Sequence, residues 1–432
     1  MSSEVNEQMR VEWNERARED AHYYVAFGSR DQNEEGFLAT AADAIRAVKD
    51  ELKRLSSVPT AARRALEIGC GPGRLMKPLS QFFGEIHGVD VSDEMIRMAR
   101  ERLRGIPHAH AHVGPGAGLP QFASESFDLV FSYAVYQHIP SREVVLEYLR
   151  ETARVLKPGG VFRGQFNGLP LAFLPDTWRG VSFSPTDIRE FTRSNGLQLM
   201  ALDGAGTQYM WTTWRKPDIY AHRTGVCGPA SIRGITNAFT SEPLVPNRGR
   251  CAAMSLWIDD LPEDGDINSL EVRVESATAE IFYIGPPAAD GLIQINAWLP
   301  PNTRTGLMPA EVFYEGKQLC AEHYVRVVPA GPLVPRVVTV VDGINLIEQN
   351  RTKTGLVKVH LEEVAHPDRI AVTIDNRPVR DLEIMLTDPI PPRHELNFRV
   401  PEGLGPGRYV LQVRVGERDL LPCHLDVHAS SG

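Results

Sequence analysis

Cysteine is scarce in this chain of 432 residues, and what there is does not cluster. Cys70, Cys227, Cys251, Cys320 and Cys423 are scattered and form no CxxC pair, which argues against a zinc site or a disulfide framework. No apolar run approaches the roughly 18 residues of a membrane span. Lys/Arg blocks are also absent, and the formal net charge is -9. Phosphate contacts need clustered positive charge, so the composition argues against nucleic acid as the main partner and against an anionic membrane surface. The opening stretch MSSEVNEQMRVEWNERARED lacks the apolar segment of a signal peptide. Together with the odd, sparse cysteines this predicts a reducing, cytoplasmic location. On that view the Asn350-Arg351-Thr352 sequon is a chance match.

What is present is a globular composition, 42% hydrophobic and 23% charged, able to build large cores. The length predicts about three domains. In the first half, helical and strand-like patterns alternate. Trp13, Ala17, Ala21 and Tyr24 mark one helical face over residues 11–24, and Ala41, Ile45, Val48, Leu52 and Leu55 another over 38–55. Strands are predicted at 65–68, 85–90, 127–132 and 161–166. Ser92 and Ser141 each open a helix, and the second is stopped by Lys157-Pro158-Gly159-Gly160. Ser184-Pro185-Thr186-Asp187 reads as a capping box with proline at the first helical position. Residues 197–202 and 207–215 read as a hairpin, hence an antiparallel edge pair. Strands alternating with helices predict a parallel sheet covered on both faces. From about 220 onward the pattern changes to short β-rich runs such as SLEVRV, LIQINAWLP and RYVLQVRV. Prolines and glycines interrupt them at the spacing of β-sandwiches, and the seam between two sandwiches is placed at Pro329–Pro335.

The informative stretch is ALEIGCGPGRL at 65–75. Gly69, Gly71 and Gly73 form either a tight turn or a place where a ligand lies against the backbone. Arg74 stands where a GxGxxG fingerprint wants its third glycine, and Pro72 removes one N–H from a pyrophosphate cradle. The turn therefore suits a ligand without a diphosphate. Asp90 ends the next strand, where a carboxylate can accept both hydroxyls of a ribose. Turn and carboxylate together point to a nucleoside.

LEIGCGPGRL, GVDVSDEMIRMAR, LPQFASESFDLVFSYAVYQHIP and LKPGGVF, in that order, resemble the motifs of class I S-adenosylmethionine-dependent methyltransferases over about residues 10–216. The resemblance implies an α/β, Rossmann-like sheet of seven strands with the last antiparallel. It implies S-adenosyl-L-methionine as cofactor and S-adenosyl-L-homocysteine as product. Glu67 would reach the methionine end, and Gly69, Gly71 and Gly73 would line the cofactor with backbone. Asp90 would hold the ribose, Val91 and Met95 would pack the adenine, and Ala117 and Leu119 would lie near the base. Ser132 and Tyr133 would lie under the sulfonium. One position departs from the pattern. Pro115 stands where many members carry the Asp that binds the adenine amino group, so backbone or packing would have to hold the base.

Methyl transfer needs alignment, and a hydroxyl acceptor also needs a base tuned near neutral pH. His138 stands where that base would be; the other reading is a structural histidine packed beside the cofactor. Tyr23, Tyr24 and Trp13 form either a lid or merely the apolar face of a capping helix. Gln165 and Asn167 are polar candidates for acceptor contact. His108, His110 and His112 alternate without a nearby carboxylate, and no metal is expected. The absence of [DN]PP[YFW] after the fourth strand, and of a Pro-Cys nucleophile before residue 217, argues against methylation of DNA bases.

The second half loosely resembles bacterial immunoglobulin-like modules of the IPT/TIG kind, serving as homodimerisation or substrate-presenting units. The expected organisation is a methyltransferase domain with an N-terminal helical cap over 1–216 and immunoglobulin-like sandwiches over 217–330 and 331–432. The expected activity is transfer of a methyl to oxygen, less readily nitrogen, of a small molecule or glycan. The alternative is a binding or scaffold protein whose methyltransferase domain is degenerate and whose sandwiches mediate interactions.

Overall fold

The computed structural model describes residues 2–26, 33–169, 174–218, 230–343, 349–388 and 392–428. Cys227 lies outside them. Contacts divide the chain into two units. The first comprises Met1–Ser241, Met254–Pro300 and Met308–Val325, and the second comprises the rest.

In the first unit, helices α1 (Ser2–Ala26), α2 (Glu34–Ala39) and α3 (Ala42–Glu51) precede strand β1 (Arg64–Ile68). The continuous face expected over 38–55 is split, because the chain turns at Thr40 and Ala41. Then α4 (Met76–Leu79), β2 (Glu85–Asp90), α5 (Asp93–Arg102), β3 (Ala109–Val113) and β4 (Phe127–Ser132) alternate. They are followed by α6 (Arg142–Val155), β5 (Leu156–Phe166), α7 (Pro185–Ser194), β6 (Gln198–Asp203) and β7 (Met210–Arg215). Lys157-Pro158-Gly159-Gly160 is already strand: the helix stops at Val155 and β5 starts at once.

Serine caps set the helix starts. The Ser92 hydroxyl accepts from Met95 N–H and the Ser141 hydroxyl from Val144 N–H. At α7 the capping box is complete: Ser184 accepts from Asp187 N–H, and Asp187 accepts from Ser184 N–H. Ser184→Ala is expected to lower unfolding free energy by about 1 kcal/mol, read by chemical denaturation.

The strands run in the order β3-β2-β1-β4-β5-β7-β6. β1 is parallel to β2 on one side and β4 on the other, so the strand order reverses between β1 and β4. Ligand crevices form at the carboxyl ends of strands at such a point. β4 is buried at every position, as a strand covered on both faces must be. β7 lies antiparallel between β5 and β6.

The hairpin is not the edge of the sheet, as the sequence had suggested. Strand Ile281–Ile284 pairs antiparallel with β6 through Tyr283 and Ala201. Ile293–Trp298, Ala253–Asp259 and β8 (Ser231–Asn237) continue from there, so among the described residues the sheet has eleven strands rather than seven. An uncovered β6 would present unpaired backbone groups; the added strand pairs at Ala201, and Ile267 N–H donates to the Leu199 carbonyl (2.9 Å). Side chains reinforce the join: Leu199 N–H donates to Asp266 Oδ2 (2.9 Å) and Arg54 Nη2 donates to the Ile284 carbonyl (2.7 Å).

In the second unit, a sheet containing Leu356–Glu362 and Arg393–Arg399 shares one apolar core with a sheet containing Ile370–Ile374 and Gly407–Val415. Val357, Val359 and Leu396 from the first sheet meet Ile374, Leu411 and Val413 from the second.

Among the described residues no helix is long and apolar enough to cross a membrane.

Candidate functional site

A cavity opens where β1, β2 and β4 end, beneath α1. Its floor is the turn after β1. Gly69 and Cys70 N–H both donate to the Val89 carbonyl (2.8 and 3.1 Å), which pins the turn to β2. Gly69 has φ +72°, the left-handed region that favours glycine. A Cβ there would stand 2.2 Å from Val135 Cγ2, so the loop after β4 closes directly onto the turn.

Asp90 ends β2 at the cavity wall. Its Oδ2 accepts from Gly71 N–H and its Oδ1 from Ser92 N–H, both at 2.9 Å. The two donors fix the carboxylate plane and leave lone pairs on both oxygens. Burial raises the Asp90 pKa, opposed by the N–H groups of Ser92, Gly71 and Val91. Capping of α5 falls to Ser92, so Asp90 is not spent as its side-chain cap.

Glu67 lines the same cavity, is 3% exposed, and its Oε2 has no hydrogen-bond partner. Burial pushes its carboxyl well above the usual range, with Arg74 pulling the other way. Val91, Met95 and Tyr133 also line it, as does Gly116 from the loop after β3. From α1 come Met9, Trp13 and Tyr24, and from its last turn Val25.

Other expected residues stand elsewhere. Gly73 packs on Ala99 of α5, outside the lining. The Ser132 hydroxyl donates to the Ile68 carbonyl (3.0 Å), tying β4 to β1. Leu119 is wholly buried, and its N–H is taken by Glu151. Ala117 is partly buried, and its neighbour Gly116 reaches the cavity in its place. Pro115 is exposed and outside the lining. Tyr23 is buried against Tyr24, whose ring does reach the cavity. Asn167 accepts from Leu169 N–H and stands outside the lining.

Gln165 is fully buried, not an open acceptor contact. Its Oε1 accepts from Ala134 N–H, so its Nε2 must donate, and it does so to Gln137 Oε1 (3.0 Å). Gln137 Nε2 then faces His138 Nε2 at 3.3 Å, while His138 Nδ1 lies 2.8 Å from the Trp178 carbonyl. A carbonyl only accepts, so Nδ1 carries the proton and Nε2 accepts a hydrogen bond from Gln137 Nε2. Trp13 meets the imidazole edge-on with ring centroids 5.5 Å apart. Burial lowers the His138 pKa to about 4, away from the near-neutral value expected of a base.

An imidazole held neutral in the fold but free to protonate at its ordinary 6.5 when unfolded makes stability depend on acid. The contribution is complete above pH 6.5 and is lost as pH falls towards 4. His138 should cost about 2 kcal/mol of stability between pH 7 and pH 5. Denaturant titrations at both pH values should show a smaller acid loss in His138→Asn than in the wild type.

The alternating histidines do have a carboxylate beside them, across the strand pair. His87 Nε2 lies 3.1 Å from Glu85, His110 Nε2 lies 3.6 Å from it, and His87 Nδ1 bonds His112 Nε2 at 3.0 Å. Burial lowers the His87 pKa to about 4.

The sequence reading did not name Arg74, Cys70, Tyr148, Val25 or Met9 as lining residues. Met9 was within reach, since it stands four residues before Trp13 on the same helical face.

Residues 66–163, which contain the turn, Asp90 and β4, match a family model described as a methyltransferase domain. Those residues make a methyltransferase domain. The domain is similar to a trans-aconitate 2-methyltransferase of Rhodopseudomonas palustris, 37% identical over 24% of this chain and 38% of that protein. It is also similar to a ubiquinone biosynthesis O-methyltransferase of Xanthomonas axonopodis, 27% identical over 38% of this chain and 74% of that protein. The chain spans 38% and 40% of the first two curated relatives it matches. Among solved structures, magnesium protoporphyrin IX methyltransferase of Synechocystis with bound S-adenosylhomocysteine aligns with 48% of this chain and 97% of its own. That alignment has 17% identity and a TM-score of 0.36. The methyltransferase domain has residues that suit its cofactor: an unpartnered carboxylate oxygen on Glu67, a turn with no room for a Cβ at Gly69, and an oriented carboxylate at Asp90.

Proposed function

We propose that the chain transfers a methyl group from S-adenosylmethionine to oxygen, in preference to nitrogen, of a small molecule or sugar. The observation that carries this reading is Asp90, whose two oxygens are oriented by backbone N–H groups at the wall of a cavity floored by the glycine turn. Bound there, the cofactor would supply an electrophilic methyl on sulfur. Asp90 would accept the ribose hydroxyls, Val91 and Met95 would pack the base, and Tyr133 would flank the sulfonium. Trp13, Tyr24 and Val25 would exclude water from above. His138 acts by position: its ring nitrogens face Gln137 and Trp178, and its pKa is about 4. Alignment then does most of the catalysis, and an acceptor oxygen already ionised at neutral pH suits the site best.

The test is transfer of label from methyl-tritiated cofactor to a panel of carboxylic acids, phenols, sugars and amines. Oxygen acceptors should be labelled, with a rate that does not rise through pH 6–7. Labelling confined to amines would overturn the preference, and a rate titrating near pH 6.5 would restore His138 as the base.

A further inference from the structure

The second unit holds a cleft of about 310 Å³ that shares no lining residue with the cavity above the glycine turn. That volume is at the small end of the range for small-molecule sites. One wall is the bend from Pro246 to Cys251, and the rest is Ala330–Leu333 with Glu363 and Pro392. Hydrogen bonds fix these walls. Asn247 N–H donates to the Val328 carbonyl (2.9 Å), and Asn247 Oδ1 accepts from Ala330 N–H (3.1 Å). Glu363 Oε2 accepts from Val334 N–H (2.9 Å). Pro246, Pro332 and Pro392 add rings of fixed φ, and Leu333 adds apolar surface.

Arg248 and Arg250 both line this cleft and are exposed, and among the described residues neither has a hydrogen bond or an ion pair. That is unexpected in a chain whose 55 acids outnumber its 46 bases. The acids at hand are engaged elsewhere. Glu363 takes Val334 N–H, and its neighbour Glu362 takes Arg336 Nε (3.0 Å) and Arg393 Nε (2.8 Å). Gly249, at φ +91°, turns the chain between the two arginines, and Ala252 N–H closes the bend on the Gly249 carbonyl (3.0 Å). Two uncompensated guanidinium groups therefore leave one short bend beside one cleft. No other arginine or lysine lines it among the described residues.

We infer that this cleft binds a small organic phosphate, a monoester whose dianion lies between Arg248 and Arg250 and whose apolar body lies on Pro332, Leu333 and Pro392. Charge selects the class. Like charges on neighbouring arginines repel, and a dianion offsets both, whereas a carboxylate offsets one. The planar guanidinium fork also matches phosphate oxygens two at a time. Glu363 in the lining repels a second anionic group, so the ligand carries its charge at one end. An extended polyanion would need a stripe of cations beyond these two. The inference is independent of the methyl-transfer reading, since it uses no residue of that cavity.

The probe is phenyl phosphate, followed by its proton NMR signals as the full chain is titrated at low salt, with inorganic phosphate and benzoate as competitors. Binding should saturate and be about fivefold or more tighter than that of either competitor. Replacing both arginines, Arg248→Gln with Arg250→Gln, should weaken the probe about tenfold or more. Neither side chain has a polar partner in the fold, so the double variant should keep the wild-type unfolding midpoint. S-adenosylhomocysteine should leave the probe in place. No saturable binding by the wild type at about 10 mM probe would overturn the site. So would unchanged binding in the double variant, or displacement by S-adenosylhomocysteine. Inorganic phosphate competing as strongly as phenyl phosphate itself would overturn the organic body, and benzoate doing so would overturn the dianion.

Discussion

Gly69→Ala should be among the most damaging single-methyl additions in the methyltransferase domain. Two costs combine. Alanine at φ +72° is strained by about 1–2 kcal/mol. The new Cβ also falls 2.2 Å from Val135 Cγ2 and 3.0 Å from its Cβ, so the valine backbone must move, at about 1–3 kcal/mol. The expected loss of unfolding free energy is about 2–5 kcal/mol. Gly71 is the internal comparison. It also has positive φ, but a Cβ there meets Val25 Cγ2 at 3.4 Å, ordinary contact. Gly71→Ala should therefore show the strain alone, about 1–2 kcal/mol. Adding Val135→Ala to Gly69→Ala should remove the contacts with the two Cγ atoms but not the 3.0 Å approach to the Cβ, and so recover part of the loss. Denaturant unfolding of the four proteins checks this, and equal losses for the two glycine variants would contradict the close approach.

The second large effect is on ligand affinity. Asp90→Ala removes the carboxylate proposed to accept the ribose hydroxyls and also leaves Gly71 and Ser92 N–H without their acceptor. S-adenosylhomocysteine affinity should fall by about 1.5–3 kcal/mol, roughly ten- to a hundredfold. Stability should fall too, by about 1–3 kcal/mol, because two buried donors lose their partner. Asp90→Asn separates the effects in part. It keeps the shape but turns one oxygen into a donor facing another N–H, so affinity should still fall. An unchanged affinity in Asp90→Ala would remove the ribose from this wall of the cavity.

Much of the site was legible because its residue types answer to local constraints. Glycines at the end of β1 mark positive φ and close approach, and an acid at the end of β2 marks a carboxylate at the cavity wall. The caps at Ser92, Ser141 and Ser184 follow from short-range hydrogen bonding and occur where the spacing put them. Positions set by distant packing were not legible. Gln165 looks like a solvent-facing polar group in sequence, but it is a buried connector between Ala134, Gln137 and Gln208. Polarity does not disclose burial when all its hydrogen bonds are made internally. His138 has the residue type of a base, yet its surroundings lower its pKa, and those surroundings include Trp13 and Trp178 from remote segments. The pairing of β6 with Ile281–Ile284 joins positions some eighty residues apart, and no local periodicity reveals such a partner. Arg74 reads as an interruption of a glycine pattern; only the fold shows that it is buried and lines the cavity.

The central claim is that the cavity above the glycine turn receives the methyl-donating cofactor. The most direct measurement is calorimetric titration of S-adenosylhomocysteine into the full chain. Saturable binding at one site per chain is the result predicted for a cavity floored by the glycine turn and walled by an oriented carboxylate. The absence of heat and of any melting shift at millimolar ligand would contradict it and leave the cavity without its proposed occupant.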